Sequence, residues 1–300
     1  MRHPDADEMA YKVFRDAQKE YGMSEMSRVA QLGSSALAST KSYLFYGPPG
    51  SGKTTLALQH PAKRKLWLDM DGKIHEMNFK VVFAPQKAPT EGIDVWQPGE
   101  PLGNPERIDI PWNPDPKDPH KGQIPSKQPK GYEKLVAMTN ELLRARGTVT
   151  LVADKAKTID AFPYDLVVLD TLTSVADHWQ SLLMYTHRVS YMTERLWGIY
   201  LAGLQEYIDG FLQLPCDRIV IAHEKRNVDD DTKQEAIRPS VAGQLGNNLA
   251  RYFTEAYYFK GRERSGAYKL QTFSDNRLVA RTSSGLPPEA VANADIFLRR

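Results

Sequence analysis

Three hundred residues, 41% hydrophobic and 25% charged, make a chain long enough for one large core or two modest domains, and they exclude a disordered, collagen-like or disulfide-scaffold protein. Lys and Arg number 39 against 37 Asp and Glu, a formal charge of +2, so any nucleic-acid contact must come from a local patch rather than a basic excess. The single cysteine, Cys216, allows neither an internal disulfide nor a cysteine-based zinc cluster, which points to a reducing compartment. No run approaches the roughly 18 apolar residues of a membrane span, and the segment Met1–Glu8 lacks the apolar core of a secretory signal. The expectation is a cytoplasmic protein, neither exported nor membrane-inserted, with no fixed-period repeat.

In chain order, Met9, Val13, Phe14, Ala17 and Tyr21 recur at three-to-four-residue spacing, which predicts an N-terminal helical lead-in over residues 1–41. Ser42–Tyr46 reads as a short strand ending at glycine, and Thr54–His60 has helical composition. Lys65–Asp69 and Lys80–Ala84 are the next strand candidates. Residues 85–129 hold 11 of the 20 prolines, which removes ladder donors and blocks helix interiors, so this segment is expected to be an irregular insertion.

Helical periodicity returns over 131–146, followed by a strand at Thr148–Val152. Asp165–Asp170 is a near-continuous apolar run of the kind buried on both faces of a parallel sheet. Residues 194–212 give the clearest amphipathic helix, with Leu196, Tyr200, Leu204, Tyr207 and Phe211 on one side. Arg218–Ala222 is another buried-type strand, and the polar, mixed-charge segment Lys225–Pro239 after it reads as a mobile loop. Runs at Ala256–Lys260, Tyr268–Phe273 and Leu278–Ala280 close the pattern. The fold class expected is α/β: a mostly parallel sheet flanked by helices, with an antiparallel C-terminal extension. The domain organisation expected is a core over 42–286, interrupted at 85–129, and a tail over 287–300.

The chemistry concentrates at Gly47-Pro48-Pro49-Gly50-Ser51-Gly52-Lys53-Thr54, followed by Thr55. It satisfies the P-loop pattern G-x-x-x-x-G-K-[ST] between an apolar strand and a helix. Glycines let successive backbone N–H groups turn inward onto phosphate oxygens. Lys53 is expected at the β- and γ-phosphates of ATP, and Thr54 as a ligand of Mg2+. Asp170, ending its apolar strand, fits the Walker B acid that holds the metal, with Thr171 placed to position water or metal. Hydrolysis also needs a carboxylate that polarises the attacking water. Asp71 is the first candidate and Asp69 the second, because residues at a strand mouth face the ligand. His223, ending its strand, is a candidate γ-phosphate sensor.

In this order, the residues resemble the RecA superfamily, specifically the RecA-like phage nucleotide-binding proteins that include the Sak-four type of single-strand-annealing ATPase. The resemblance covers roughly 40–84 and 131–286. It rests on Gly47–Thr55, the strand end at Asp71, Leu169–Ser174, Ile221–His223, Pro239–Leu245 and Arg277–Pro287. It implies a RecA-like core, Mg2+-dependent ATP hydrolysis that is slow and DNA-stimulated, and ATP sites between protomers of a ring or filament. It also implies single-stranded DNA as a partner, a single-strand-binding protein as a further candidate, and recombination or strand annealing in a host cytoplasm if the gene is a bacteriophage's.

Relatives carry Glu where this chain has Asp71. Where hexameric and filamentous members place a Lys-x-Arg pair that enters the neighbour's site, the matching positions hold Arg281 and Ser283. The segment after His223 matches the family's DNA-binding loop, which makes Lys225, Arg226, Lys233 and Arg238 candidate phosphate contacts. Phe14-Arg-Asp-Ala17 resembles the Phe-x-x-Ala polymerisation motif. Two other functions stay open: a replicative-helicase-like or other DNA motor, and a non-catalytic nucleotide-gated scaffold or loader.

Overall fold

The computed structural model describes residues 40–72, 127–144, 162–228, 235–263 and 266–298, together with short backbone strands at 93–96, 107–109, 123–125, 149–150 and 158–159. The helical lead-in, the strand expected at Lys80–Ala84 and Lys233 lie outside the described residues, apart from Thr40 and Lys41 at the end of the lead-in.

In chain order the elements begin with β1 (Ser42–Gly47), α1 (Lys53–Leu58), β2 (Lys65–Asp69), β3 (Ile93–Trp96), β4 (Arg107–Asp109) and β5 (Gln123–Pro125). Next come α2 (Gly131–Arg144), β6 (Val149–Thr150), β7 (Thr158–Ile159), β8 (Leu166–Asp170), α3 (Leu172–His187) and α4 (Glu194–Phe211). The chain continues through β9 (Asp217–Val228), β10 (Glu235–Pro239), α5 (Gln244–Asn248), β11 (Glu255–Arg262), β12 (Tyr268–Gln271), β13 (Glu289–Val291) and α6 (Asp295–Leu298). They fall into two compact units, one from residues 39–97, 163–174 and 216–300, the other from 98–162 and 175–215.

The first unit is built on a nine-stranded sheet in the order β13-β12-β11-β1-β9-β8-β2-β3, with β10 paired to β9 beside that path. Every pairing from β11 through β1, β9, β8 and β2 to β3 is parallel, while β12, β13 and β10 add antiparallel ladders. β1, β2 and β8 are buried at every step and apolar through their middles, as expected of strands covered on both faces. One face, carrying Tyr43, Phe45, Trp67, Val168, Ile221 and Phe259, packs against Leu56 and Ala57 of α1 and Ile296 and Phe297 of α6. Phe297 lies edge-on to Tyr43 at 5.4 Å between ring centroids. The opposite face, with Leu44, Tyr46, Leu66, Leu68 and Val220, is buried as well.

The second unit holds α2, most of α3, and α4. Tyr132 stacks on Trp179 at 4.5 Å and donates its hydroxyl to Gly203 O at 3.0 Å, while the Trp179 indole donates to Tyr200 O. Thr193 caps α4 by accepting from Leu196 N, as expected for a residue just before a helix.

Several expectations change. Within 85–129, Ile93–Trp96 is a strand of the main sheet, paired in parallel with β2, and Arg107–Asp109 pairs with Gln123–Pro125. The polar segment after His223 is a β-hairpin, with Lys225 opposite Arg238 and Val228 opposite Glu235. The Leu278–Ala280 run makes no strand. Its stretch contributes isolated bridges, Ile237 to Leu278 and Ala256 to Arg281.

Candidate functional site

The parallel register brings the C-terminal ends of four strands to one edge. Gly47 of β1 lies opposite His223 of β9, Ile221 opposite Asp170 of β8, and Asp170 opposite Asp69 of β2. Ligands of open parallel sheets bind at this edge because connecting loops and unpaired backbone groups converge there.

The loop leaving β1 needs its glycines for two separate reasons. Gly47 has φ of +149° and a Cβ there would meet Phe259 O at 2.5 Å, so β1 can turn out of the sheet only without a side chain. Gly52 has φ of +91°, and a Cβ would fall 2.9 Å from the Tyr268 ring. Lys53 is folded over this loop, donating Nζ to Gly47 O at 2.8 Å, Pro48 O at 2.7 Å and Ser51 Oγ at 3.3 Å. Burial pushes its ammonium down to about 8, against the opposing pull of the Asp170 and Glu224 carboxylates.

Thr54 donates its hydroxyl to Asp170 Oδ2 at 3.1 Å. Burial pushes Asp170 up to about 7, the charges of Asp71 and Asp69 add to that, and the Thr54 hydrogen bond opposes it. Asp69, Asp71 and Asp170 all line the cleft. Among the described residues no group of three or more His, Cys, Asp or Glu has the arrangement of a metal cage. The pair Thr54 and Asp170 fits instead a hard cation that keeps waters and takes its remaining ligands from phosphate oxygens.

Asp71 is the centre of a second cluster. Ser174 Oγ donates to its Oδ1, Thr171 Oγ1 lies 3.4 Å from the same oxygen, and His223 Nε2 is 3.8 Å from Oδ2. Thr171 and Ser174 are themselves bonded at 2.8 Å, and Thr173 Oγ1 accepts from the His223 backbone N–H. Among the described residues, the buried Nδ1 of His223 meets no hydrogen-bond partner. Asp69 is 1% exposed, deeper in the sheet.

Pro49, Gly50, Ser51, Gly52, Lys53, Thr54 and Thr55 line one cleft with Asp69, Asp71, Asp170, Thr171, Ile221, His223 and Tyr268. The expected phosphate-loop, metal, water and sensor residues are therefore brought together. Arg281 is not part of this cleft. It is exposed and bridges to Ala256, which registers with Leu44, three residues before Gly47 on β1. Ser283, its companion position, gives its N–H and Oγ to the buried Glu255 carboxylate, so its place is structural.

Of the candidate nucleic-acid contacts, Lys225 and Arg226 are exposed on β9, and Arg226 is paired with Glu224 at 2.6 Å and Glu235 at 3.3 Å. Arg238 directs its guanidinium at the Ile237 and Arg277 carbonyls, which makes it a strut between the hairpin and the 277–281 segment.

Three residues at the site are not among the expected ones. Ser174 lies within the quoted Leu169–Ser174 run, but nothing in its spacing shows that it meets Asp71. Glu224, which accepts from Tyr258 Oη at 2.9 Å, adjoins His223 and reads as an ordinary polar end of a strand. Tyr268, far along the chain from the loop, comes to Gly52 only through strand pairing.

Residues 39–284 match the AAA domain family, and the chain belongs to it. Its site is that of a P-loop, nucleotide-binding ATPase domain, carried on the mostly parallel sheet with antiparallel extension expected of a RecA-like core. No curated protein matches the sequence. Similar solved structures include the RadB recombinase, at 15% identity over 84% of this chain and 86% of that one, with a TM-score of 0.41. Another is a prototypical ATPase from the type III secretion system of pathogenic bacteria, at 12% identity, 75% and 52% coverage and a TM-score of 0.39. The chain spans about half the length of that secretion ATPase. Among the described residues no helix is long and apolar enough to cross a membrane.

Proposed function

We propose that this protein binds ATP with Mg2+, hydrolyses it, and couples nucleotide state to single-stranded DNA binding in phage-type recombination or strand annealing, as a relative of the Sak-four ATPases. The observation that carries the ATPase reading is the Thr54–Asp170 hydrogen bond beside Lys53, which joins the phosphate loop to the acid of a separate strand. Thr54 and Asp170 would hold Mg2+, which when bound would supply positive charge to offset the negative charge of the phosphates. Lys53 leaves its loop carbonyls to take phosphate oxygens. Asp71, oriented by Ser174 and Thr171, aligns the attacking water, and His223, with Nε2 3.8 Å from Asp71 Oδ2, senses loss of the γ-phosphate.

What supports a homo-oligomer, ring or filament, is Arg281. Its exposed guanidinium lies outside its own chain's cleft and, among the described residues, is held there only by a 3.4 Å hydrogen bond from Nη1 to Arg251 O, which it would give up for a neighbour's γ-phosphoryl group. What supports DNA coupling is that β9 carries both His223 at the cleft and Lys225 and Arg226 on its exposed extension. In this reading a shift at His223 is transmitted along one strand to Lys225 and to Arg226, which would exchange its Glu224 and Glu235 carboxylates for DNA phosphate.

The test is fluorescence anisotropy of a labelled oligo-dT with and without adenylyl imidodiphosphate and Mg2+. Nucleotide-dependent affinity is expected, weakened by Lys225→Ala with Arg226→Ala. Affinity that ignores the nucleotide would remove the coupling.

A further inference from the structure

The segment that carries Arg281 is tied down by a carboxylate that none of the roles above uses. Glu255, at the start of β11, is fully buried. Its Oε1 accepts from the Ser283 N–H at 3.1 Å and from the Ser283 and Ser284 hydroxyls, both at 2.6 Å, and its Oε2 accepts from Tyr257 Oη at 2.7 Å. Lys41 Nζ donates to Ser284 Oγ at 2.6 Å and stands 3.9 Å from Glu255 Oε1. Burial alone would push the Glu255 carboxyl up, and the donors from Ser283, Ser284 and Tyr257 outweigh it, holding the group below the usual carboxylate value.

The chain on either side of this knot is fixed as well. Arg281 and Ala256 exchange both backbone hydrogen bonds, each at 2.9 Å. Beyond Gly285, whose φ of +65° turns the chain, Leu286 is buried in the core. The backbone of Arg281 is therefore placed, while its guanidinium has only the 3.4 Å bond to Arg251 O among the described residues. Burying a carboxylate is costly unless donors meet it, and directed hydrogen bonds fix a segment more narrowly than apolar packing can.

We propose that Glu255 is the positioning residue of Arg281, holding the 281–284 segment so that the guanidinium meets a neighbouring protomer's γ-phosphoryl group already oriented, an inference that rests on the trans reading of Arg281. A cation that stabilises a transition state must be placed beforehand, since ordering it during the reaction subtracts from the stabilisation. Glu255 registers with Tyr43, four residues before Gly47 on β1, at the end of the strand away from its own cleft. Its loss is therefore felt at the neighbour's site and leaves nucleotide binding by its own chain intact.

The experiment uses the two faces of one interface. Glu255→Gln keeps the side chain's size but turns one acceptor into a donor, so it cannot receive the same hydrogen bonds. Steady-state ATP hydrolysis should show kcat lowered roughly tenfold with KM unchanged, short of the ~100-fold that a 1 Å misplacement can cost. Mixed with Lys53→Ala protomers, which bring a correctly held Arg281, Glu255→Gln should partly recover activity. Mixed with Arg281→Ala it should not, because both variants fail on the same face. Ser283→Ala, which leaves the buried carboxylate its other donors, should show the same pattern more weakly and replaces Glu255→Gln if that variant does not fold. Unchanged kcat in folded protein, a rise in KM in place of the fall in kcat, or equal outcomes in the two mixtures despite confirmed co-assembly would overturn the proposal. Arg281→Ala with wild-type hydrolysis would instead overturn the trans reading itself, a result distinct from the others.

Discussion

The Thr54 hydroxyl donates to Asp170 Oδ2 at 3.1 Å, across a separation of 116 residues in the chain. Both atoms become metal-facing if the bond is exchanged for a shared cation, so Asp170 carries charge that Thr54 alone cannot replace. Asp170→Asn keeps the shape and loses that charge. Nucleotide binding should persist at reduced affinity, while Mg2+-dependent turnover falls by roughly 100-fold or more. A Mg2+ titration of the hydrolysis rate checks this, and equal Mg2+ dependence in both proteins would remove Asp170 from the metal.

Asp71 sits under two hydroxyls and an imidazole, whereas Asp69 is enclosed in the sheet. Asp71→Ala should therefore cut kcat on the order of 100-fold while sparing ATP affinity. Asp69→Ala should act more mildly on kcat. The reverse order in steady-state kinetics would move water activation to Asp69.

Arg281→Ala should bind nucleotide nearly normally and hydrolyse it poorly at every protein concentration, because the charge that stabilises the γ-phosphoryl transition state is gone. Mixing it with Lys53→Ala protomers leaves some interfaces with an intact Lys53 and an intact Arg281. Activity should partly recover in the mixture. Wild-type hydrolysis by the single variant, or no recovery despite confirmed co-assembly, would reject the trans role.

Lys65, 4% exposed, donates Nζ to Leu58 O at 2.8 Å and so ties β2 to the end of α1. Burial pushes its ammonium from 10.5 down to about 8. The unfolded chain holds that proton up to about pH 10.5 and the folded chain only to about 8, so unfolding takes up a proton in between and stability from this group rises with pH across that window. Lys65→Met should thus be favoured relative to wild type near pH 7 and lose that advantage towards pH 10. Urea midpoints of both proteins across the range measure the difference, and a pH-independent gap would contradict the depressed value.

Much of the site is legible in the sequence because its signals are local. The P-loop announces itself by glycine spacing between a strand and a helix, and Asp170 by ending an apolar run. What the sequence hides depends on partners distant in the chain. Ile93–Trp96 sits among prolines and is a strand only because β2 offers it an edge. The β9–β10 hairpin is mostly polar, and beside its backbone ladder β10 buries only Ile237 and Pro239. The helix Leu172–His187 was not among the expected elements: its first turn carries Thr173 and Ser174, which serve the site. Ser174 meets Asp71, and Tyr268 meets Gly52, only through strand order and register.

The most direct test of the whole account is the rate of phosphate release from ATP, at fixed Mg2+, with and without single-stranded DNA. The account predicts hydrolysis by the wild-type protein that rises when single-stranded DNA is added and vanishes in Lys53→Ala under both conditions. A wild-type rate that DNA leaves unchanged, or one that survives the loss of Lys53, would contradict it.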